Sequence, residues 1–248
     1  MYPVIISYSN YGYVEFAKNM LYSLDRIIRH HRVHMYCLDE ATFDKLTSLT
    51  FSHITVTFEL YMKPVSSFFE NYGTPEYNTI THTKMDILKE ALFIYRFIHF
   101  IDGDVVCMKE PTLDHYVAYQ DYDVVFQYDN GDSTDVYSIW CCTGNTTFRN
   151  TPGTQYLLQK IKEYQHVYPF KNDQECLLQL LQDAEIDDVR EFTPCRLFTY
   201  PMEEYTNGLG RSLDKTYFFH ANHVIGYDAK IDLLKEVNQW FMPIKIDG

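Results

Sequence analysis

The sequence predicts an α/β protein built on a parallel sheet, and three observations carry that reading. Short apolar runs alternate with helical stripes through the first third of the chain. Polar residues gather where those apolar runs end. A fully apolar stretch, Phe97-Ile98-His99-Phe100-Ile101, interrupted only by one histidine, runs directly into an acidic turn. With 248 residues, 46% hydrophobic and 22% charged, the chain can bury a substantial core. At roughly 100–200 residues per domain, we expect a single domain over residues 1–248.

Taken in order, residues 4–8 read as a strand, followed by the turn-like Ser9-Asn10-Tyr11-Gly12. Val14, Ala17, Leu21 and Leu24 then recur at helical spacing. Residues 33–38 form the next strand, ending at Asp39; a helix over 41–49 and a strand over 54–58 follow. Strands alternating with helices imply parallel pairing through right-handed crossovers. Such sheets bind ligands beyond their carboxyl ends, which is where Ser7, Tyr8, Asn10 and Asp39 fall. Met85, Leu88, Leu92 and Tyr95 form another helical stripe, with Lys84 and Lys89 off it. The strand at 97–101 passes through Asp102-Gly103-Asp104 and continues over 105–108. Residues 124–126 and 137–142 are further strands. Three helix starts close the series: Thr151 before Pro152, Asn172 with Glu175 three residues on, and Asp228 before Ala229-Lys230-Ile231.

Composition excludes several function classes. The 34 acidic residues outnumber 21 basic ones, for a formal charge of −13, whereas a nucleic-acid surface needs a basic field. No apolar run approaches the ~20 residues of a membrane span, and the N-terminus lacks the basic region of a signal peptide. Six cysteines without CxxC spacing suit reduced thiols. Asn145-Thr146-Thr147 is a formal glycosylation sequon that carries little weight without an export signal. The 22 tyrosines and 17 phenylalanines suit sugar or base contacts and ordinary core packing equally well.

Two constellations carry chemistry. Carboxylates either side of a glycine at a strand end repel unless a cation lies between them, and oxygen ligands on a tight turn suit Mg²⁺ or Mn²⁺. Gly103 is expected to let a second ligand approach the backbone. A solvated acidic turn is the plain alternative; the apolar strands on both sides argue against it. The second constellation is His220-Ala221-Asn222-His223-Val224-Ile225-Gly226-Tyr227-Asp228-Ala229-Lys230. His220 would complete an Asp102/Asp104/His220 metal set as a neutral imidazole. Gly226 permits a sharp turn into a helix, and Lys230 in its first turn, with free N–H groups, favours a diphosphate. By spacing alone, Asp173-Gln174 reads as capping chemistry.

Together these segments resemble the GT-A nucleotide-sugar glycosyltransferases. Ile101-Asp102-Gly103-Asp104-Val105-Val106, followed by Lys109-Glu110-Pro111, is similar to their "DxD" strand, and the helix with Lys84, Leu88, Ala91 and Leu92 precedes it as in the family. Thr143-Gly144 with Phe148-Arg149 resembles the "NTG…R" segment, Asp173-Gln174 the "DQ", and Asn207-Gly208, His220, Asn222, Gly226, Lys230, Leu234 and Trp240 the C-terminal signature. The pattern is similar to glycosyltransferase family 77, with family 8 sharing its logic, and spans about residues 4–240. It implies a GT-A, Rossmann-like domain with a mixed, mainly parallel central sheet flanked by helices. The nucleotide-binding half would be about 1–110, and the half for donor sugar and acceptor about 111–248.

Carried over, the resemblance implies a glycosyltransferase moving a hexose or pentose from a nucleoside-diphosphate sugar, with uridine as the expected base, to a hydroxyl of a glycan, protein or small molecule. Asp102, Asp104 and His220 would hold Mn²⁺ or Mg²⁺. Ser7, Tyr8, Asn10 and Asp39 would surround the nucleoside, and Asn222, Gly226 and Lys230 the diphosphate. Lys84, Asp173 and Gln174 would face the donor sugar, with Asp173 and Gln174 as catalytic residues and Gly103, Cys142 and Gly144 completing the donor site. Cys142 stands where the family has Asn, so the sugar pocket is expected to differ. Retention at the anomeric carbon is expected; an inverting enzyme would need a base such as Asp173. The lack of an anchor implies a cytoplasmic protein or a trimmed catalytic domain. A metal-dependent phosphohydrolase or nucleotidyltransferase, and a non-catalytic sugar-nucleotide-binding protein, are the competing readings.

Overall fold

The computed structural model describes residues 1–129, 141–186, 188–209 and 213–242. Strands and helices alternate through the first hundred residues: β1 (Val4–Ser9), α1 (Val14–Ile27), β2 (Arg32–Cys37), α2 (Glu40–Thr47), β3 (Thr55–Leu60), α3 (Pro75–Ile94) and β4 (Phe97–Ile101). Then come β5 (Val105–Cys107), α4 (Leu113–Ala118), β6 (Val124–Tyr128), β7 (Cys141–Arg149), α5 (Pro152–Val167), α6 (Asp173–Asp183), β8 (Leu197–Tyr200), β9 (Tyr205–Asn207), β10 (Phe218–His220) and α7 (Tyr227–Glu236).

Seven strands form the main sheet in the order β3-β2-β1-β4-β7-β6-β8. The first four are parallel; β7 runs antiparallel to both β4 and β6, and β8 is parallel to β6. This is the mixed, mainly parallel sheet flanked by helices that the resemblance implied. Alternation along β1 divides the core: Ile6 packs with apolar residues of α3, α5 and α6 on one face, and Ile5 with those of α1 and α2 on the other. No described helix is long and apolar enough to cross a membrane. All six thiols are free and buried. Asn145, the sequon residue, is buried too.

The structure departs from the expectations in several places. Residues 105–107 do not continue β4. The Val105 N–H bonds the Asp102 carbonyl at 3.1 Å, closing a turn that carries β5 into a second sheet of order β5-β10-β9. The helical stripe at 85–95 is the second half of α3, whose start lies at the Thr74 cap and Pro75, the same signal that opens α5; Tyr95 lies just past its end in extended backbone. Of the strand expected at 137–142, residues 137–140 lie outside the described residues; from Cys141 the strand runs on to Arg149. The short α4, β8, β9 and β10 carry too little periodicity to be read locally.

Candidate functional site

A cleft of about 550 Å³ opens at the carboxyl ends of β1 and β4 and is walled by α6, the 220s segment and the β7 turn. That size suits a small-molecule site. Its floor is made where the two sheets meet. Asp102 and Gly103 leave β4, and Asp104 leads into β5. His220 ends β10, paired in register with Val105, and the Ala221 N–H bonds the Asp104 carbonyl at 3.1 Å. Residues more than 100 positions apart are thereby held side by side.

The register between β6 and β7 breaks between Phe126, opposite Thr146, and Gln127, opposite Cys142. That irregularity takes Thr143, Gly144 and Asn145 out of the pairing with β6, while Asn145 still pairs with Ile101 of β4. The Gly144 carbonyl accepts from the Asp102 N–H at 2.7 Å. A Cβ at Gly144 would stand 2.3 Å from Asp102 Oδ2 and 2.5 Å from His220 Cε1, so the acidic turn and the histidine close only over a glycine. Gly103, by contrast, has ordinary room for a methyl among the protein's own atoms, its nearest neighbour being Ala17 N at 3.6 Å.

Ligand atoms of Asp102, Asp104 and His220 lie within 4.8 Å of one another. Two carboxylates, one imidazole and a glycine that clears the space between them fit a divalent ion that accepts mixed oxygen and nitrogen donors, Mn²⁺ better than Mg²⁺. His220 Nε2 is 3.2 Å from Asp104 Oδ1. Lys230 Nζ reaches Asp104 Oδ2 at 2.5 Å and the Ala221 carbonyl at 2.8 Å. Burial opposes the Asp104 charge, but Lys230 and His220 outweigh it and hold the carboxyl well below its ordinary range. Asp102 moves the other way: burial, with the neighbouring Asp104 and Asp173, raises it despite Lys84 and His220.

Lys84 was expected off the apolar stripe and is buried, 2% exposed. Its Nζ lies 2.8 Å from Asp173 Oδ2 and 3.2 Å from Asp102 Oδ1. Burial works against its charge and the two carboxylates prevail, raising its pKa. Asp173 opens α6 beside the Asn172/Glu175 capping box and also accepts from Thr143 Oγ1 at 2.6 Å. Gln174 donates through Nε2 to Asp129 Oδ2 at 2.9 Å and accepts from the Thr143 N–H at 3.4 Å.

Tyr8, Asn10, Cys142, Gly144, Asn222, Gly226 and Lys230 also line the cleft. Asn10 donates to the Ser66 and Phe68 carbonyls and accepts from the Tyr13 N–H, fixing the loop around it. Gly226, at φ +105°, caps α7 in backbone that side chains rarely adopt. Two residues lie elsewhere. Ser7 is buried within β1. Asp39 is the N-cap of α2, accepting from Thr42 N and also from Tyr11 N. Neither is on the cleft wall. Arg149 sits over the Phe97 ring, 4.0 Å from its centroid, and Trp240 against Phe16.

Sequence reasoning missed Asp129. It follows β6, is buried, and receives Gln174 through Oδ2 and Asn222 (2.7 Å) and His223 (3.3 Å) through Oδ1. Its carbonyl receives Asn207 Nδ2 at 3.3 Å. The available signal was a carboxylate at the end of an apolar strand, the logic that had singled out Asp102. Tyr13 and Tyr77 are further cleft residues; burial and then the nearby carboxylates raise their phenols, keeping both protonated.

Residues 29–234 match the nucleotide-diphospho-sugar transferases. The chain belongs to that family. No curated protein matches the chain in sequence. In fold, the family member described here is similar to the glycosyltransferase GlyE of Streptococcus pneumoniae TIGR4, with a TM-score of 0.58 at 10% identity over 98% of this chain and 62% of that one. The apo form of GlyE gives the same score. The bifunctional glycosyltransferase WbbM, in its apo structure, gives 0.56 at 12% identity over 94% of this chain and 49% of that one. The chain thus spans less than two thirds of the length of these proteins, and the likeness supports the GT-A fold. The narrower similarity to family 77 rests on the motif series alone.

Proposed function

We propose that this chain transfers a sugar from a nucleoside-diphosphate donor, with a uridine base and Mn²⁺, to an acceptor hydroxyl with retention at the anomeric carbon. The observation that carries the reading is the convergence of Asp102, Asp104 and His220 with Lys230 at one end of the cleft and the Asp173–Gln174 turn at the other. Asp102, Asp104 and His220 would hold the cation, which when bound supplies charge neutralisation to the leaving diphosphate. Lys230 adds a second cation there, and the free N–H groups at the start of α7 favour the same anionic group.

The bond broken joins the anomeric carbon to a phosphate oxygen; the bond formed joins that carbon to the acceptor oxygen, whose proton passes to the departing phosphate. Gln174, held at both ends by Asp129 and the Thr143 N–H, places a fixed neutral dipole on the sugar side, suited to an oxocarbenium-like state. Asp173 is engaged by Lys84 and Thr143 Oγ1, which supports its holding the sugar pocket over its serving as the base that inversion requires. Which sugar and which acceptor are used rests on contacts of single hydroxyls.

A thermal-shift series with UDP, GDP, ADP and CMP, each with Mn²⁺ and with EDTA, tests the reading, since a ligand that binds only the folded state raises the melting temperature. A Mn²⁺-dependent rise with UDP is expected. No rise with any nucleotide would remove the donor site. A rise with phosphate release from the nucleotide alone would favour a phosphohydrolase.

A further inference from the structure

Cys142 lines the cleft and touches the histidine of the Asp102/Asp104/His220 cluster. Its Sγ lies 3.4 Å from His220 Nδ1 and receives the Gly144 N–H at 3.4 Å. On the other side of the ring, Nε2 faces the Asp104 carboxylate at 3.2 Å. The histidine is therefore gripped at both nitrogens, by an acceptor on one side and by a thiol on the other.

We propose that Cys142 is a positioning residue for His220, using a thiol that serves as donor or acceptor to hold the ring in either tautomer. The proposal rests on the reading of Asp102, Asp104 and His220 as cation ligands. A carboxylate only accepts, so facing Asp104 the ring carries its proton on Nε2, and Nδ1 accepts from the Cys142 S–H. For Nε2 to offer a lone pair to a cation, its proton must leave to solvent and Nδ1 must take one up. The thiol keeps its own hydrogen, rotates it away and becomes the acceptor of the new Nδ1–H. Proton count is unchanged, and the ring does not turn. The bond from the Gly144 backbone holds the sulfur in place through the exchange, and Gly144 is the residue whose missing side chain makes room for Asp102 and His220. An asparagine offers both an N–H and a carbonyl and can do the same; an alanine offers neither.

The test compares wild type, Cys142→Ala and Cys142→Asn. Mn²⁺ affinity is read from the free-ion EPR signal, the melting temperature in EDTA serves as a folding control, and the His220 tautomer is read by ¹⁵N NMR without metal. Partners of ligating histidines are worth about 10–100-fold in metal affinity. Cys142→Ala is expected to weaken Mn²⁺ binding by that factor and, with Asp104 still holding the proton on Nε2, to shift the Nδ1 resonance by removing the S–H it accepts. Cys142→Asn is expected to restore both. Alanine binding Mn²⁺ as wild type does, or asparagine failing to restore binding while melting normally, overturns the proposal. If wild type binds no Mn²⁺, the cation reading fails separately, and the ¹⁵N spectrum decides: an Nδ1 shift in Cys142→Ala that Cys142→Asn reverses supports the contact, and an unmoved Nδ1 resonance sinks it.

Discussion

The Lys84 ammonium lies 2.8 Å from the Asp173 carboxylate, a buried ion pair that ties the middle of α3 to the first residue of α6 beneath the cleft. Asp102 shares the same cation at 3.2 Å, so one lysine neutralises the carboxylates at both the acidic turn and the sugar-side helix. Its position over the Phe100 ring, 5.0 Å from the centroid, places it on the core side of the strand that leads into Asp102.

Lys84→Met keeps most of the buried stem and removes the charge. Breaking a buried pair by deleting one partner costs about 3–5 kcal/mol, because the other charge stays buried and unpaired. For a chain near this size that corresponds to a fall of roughly 6–20 °C in melting temperature. Adding Asp173→Asn removes the nearer of the two stranded carboxylates, so the double variant is expected to melt above Lys84→Met. A double variant that simply sums two losses would mean that the two side chains do not act as a pair.

Gly144→Ala puts a methyl where Asp102 and His220 close. The strand ladder on either side is unaffected, so circular dichroism is expected to stay at wild type while the Mn²⁺-dependent thermal shift disappears. A retained shift would mean that the turn relaxes without disturbing the carboxylate and the ring, and would remove the steric account of this glycine.

Asp129→Asn keeps one oxygen as an acceptor and turns the other into an NH₂ that faces either Gln174 or the Asn222/His223 side. Each lost bond to a carboxylate is worth about 1.5–3 kcal/mol, or roughly 10–100-fold where it holds a group in the transition state. Transfer activity is expected to fall by that factor with Mn²⁺ affinity within about twofold, since Asp129 touches none of the three cation-site residues. Equal losses in activity and Mn²⁺ binding would show that the whole site had collapsed rather than its sugar side.

How much of this was legible depended on how local each signal is. The β1 and β4 strands, the acidic turn and the His220–Lys230 series are contiguous patterns, readable because the period or spacing lies in a few residues. Asp129 was not, because its meaning comes from partners on α6, β9 and the segment after β10, which only the folded sheet assembles. The partners of Lys84 were hidden for a related reason: its position beside an apolar stripe says nothing of the two carboxylates that distant segments place against it. The second sheet was hidden because β5, β9 and β10 have three residues each, too few for an alternating pattern to emerge.

Acid is expected to unfold the protein early, through three buried histidines that do not line the cleft. Burial lowers His99 to about 3, and His31 and His115 to about 4. His31 Nε2 and His99 Nδ1 both meet the Tyr116 hydroxyl at 3.1 Å, and His99 Nε2 meets Asn145 Oδ1 at 2.8 Å. Glu110 faces His31 Nδ1 at 3.1 Å, Tyr205 faces His115 Nε2 at 2.9 Å, and Glu204 lies 3.7 Å from His115 Nδ1. In the unfolded chain these imidazoles take up protons below about pH 6.5, whereas in the folded chain they stay neutral down to about pH 4. Between those limits the unfolded state binds more protons, so stability falls as pH falls, by up to about 1.4 kcal/mol per pH unit for each histidine and about 4 for all three. Urea midpoints at pH 7.5, 6.0 and 5.0 measure this directly. A steep drop between the last two is expected, and it should shrink by about a third in His99→Gln. A flat profile from pH 7.5 to 5.0 would mean that Glu110 and Glu204 accept the protonated rings within the fold.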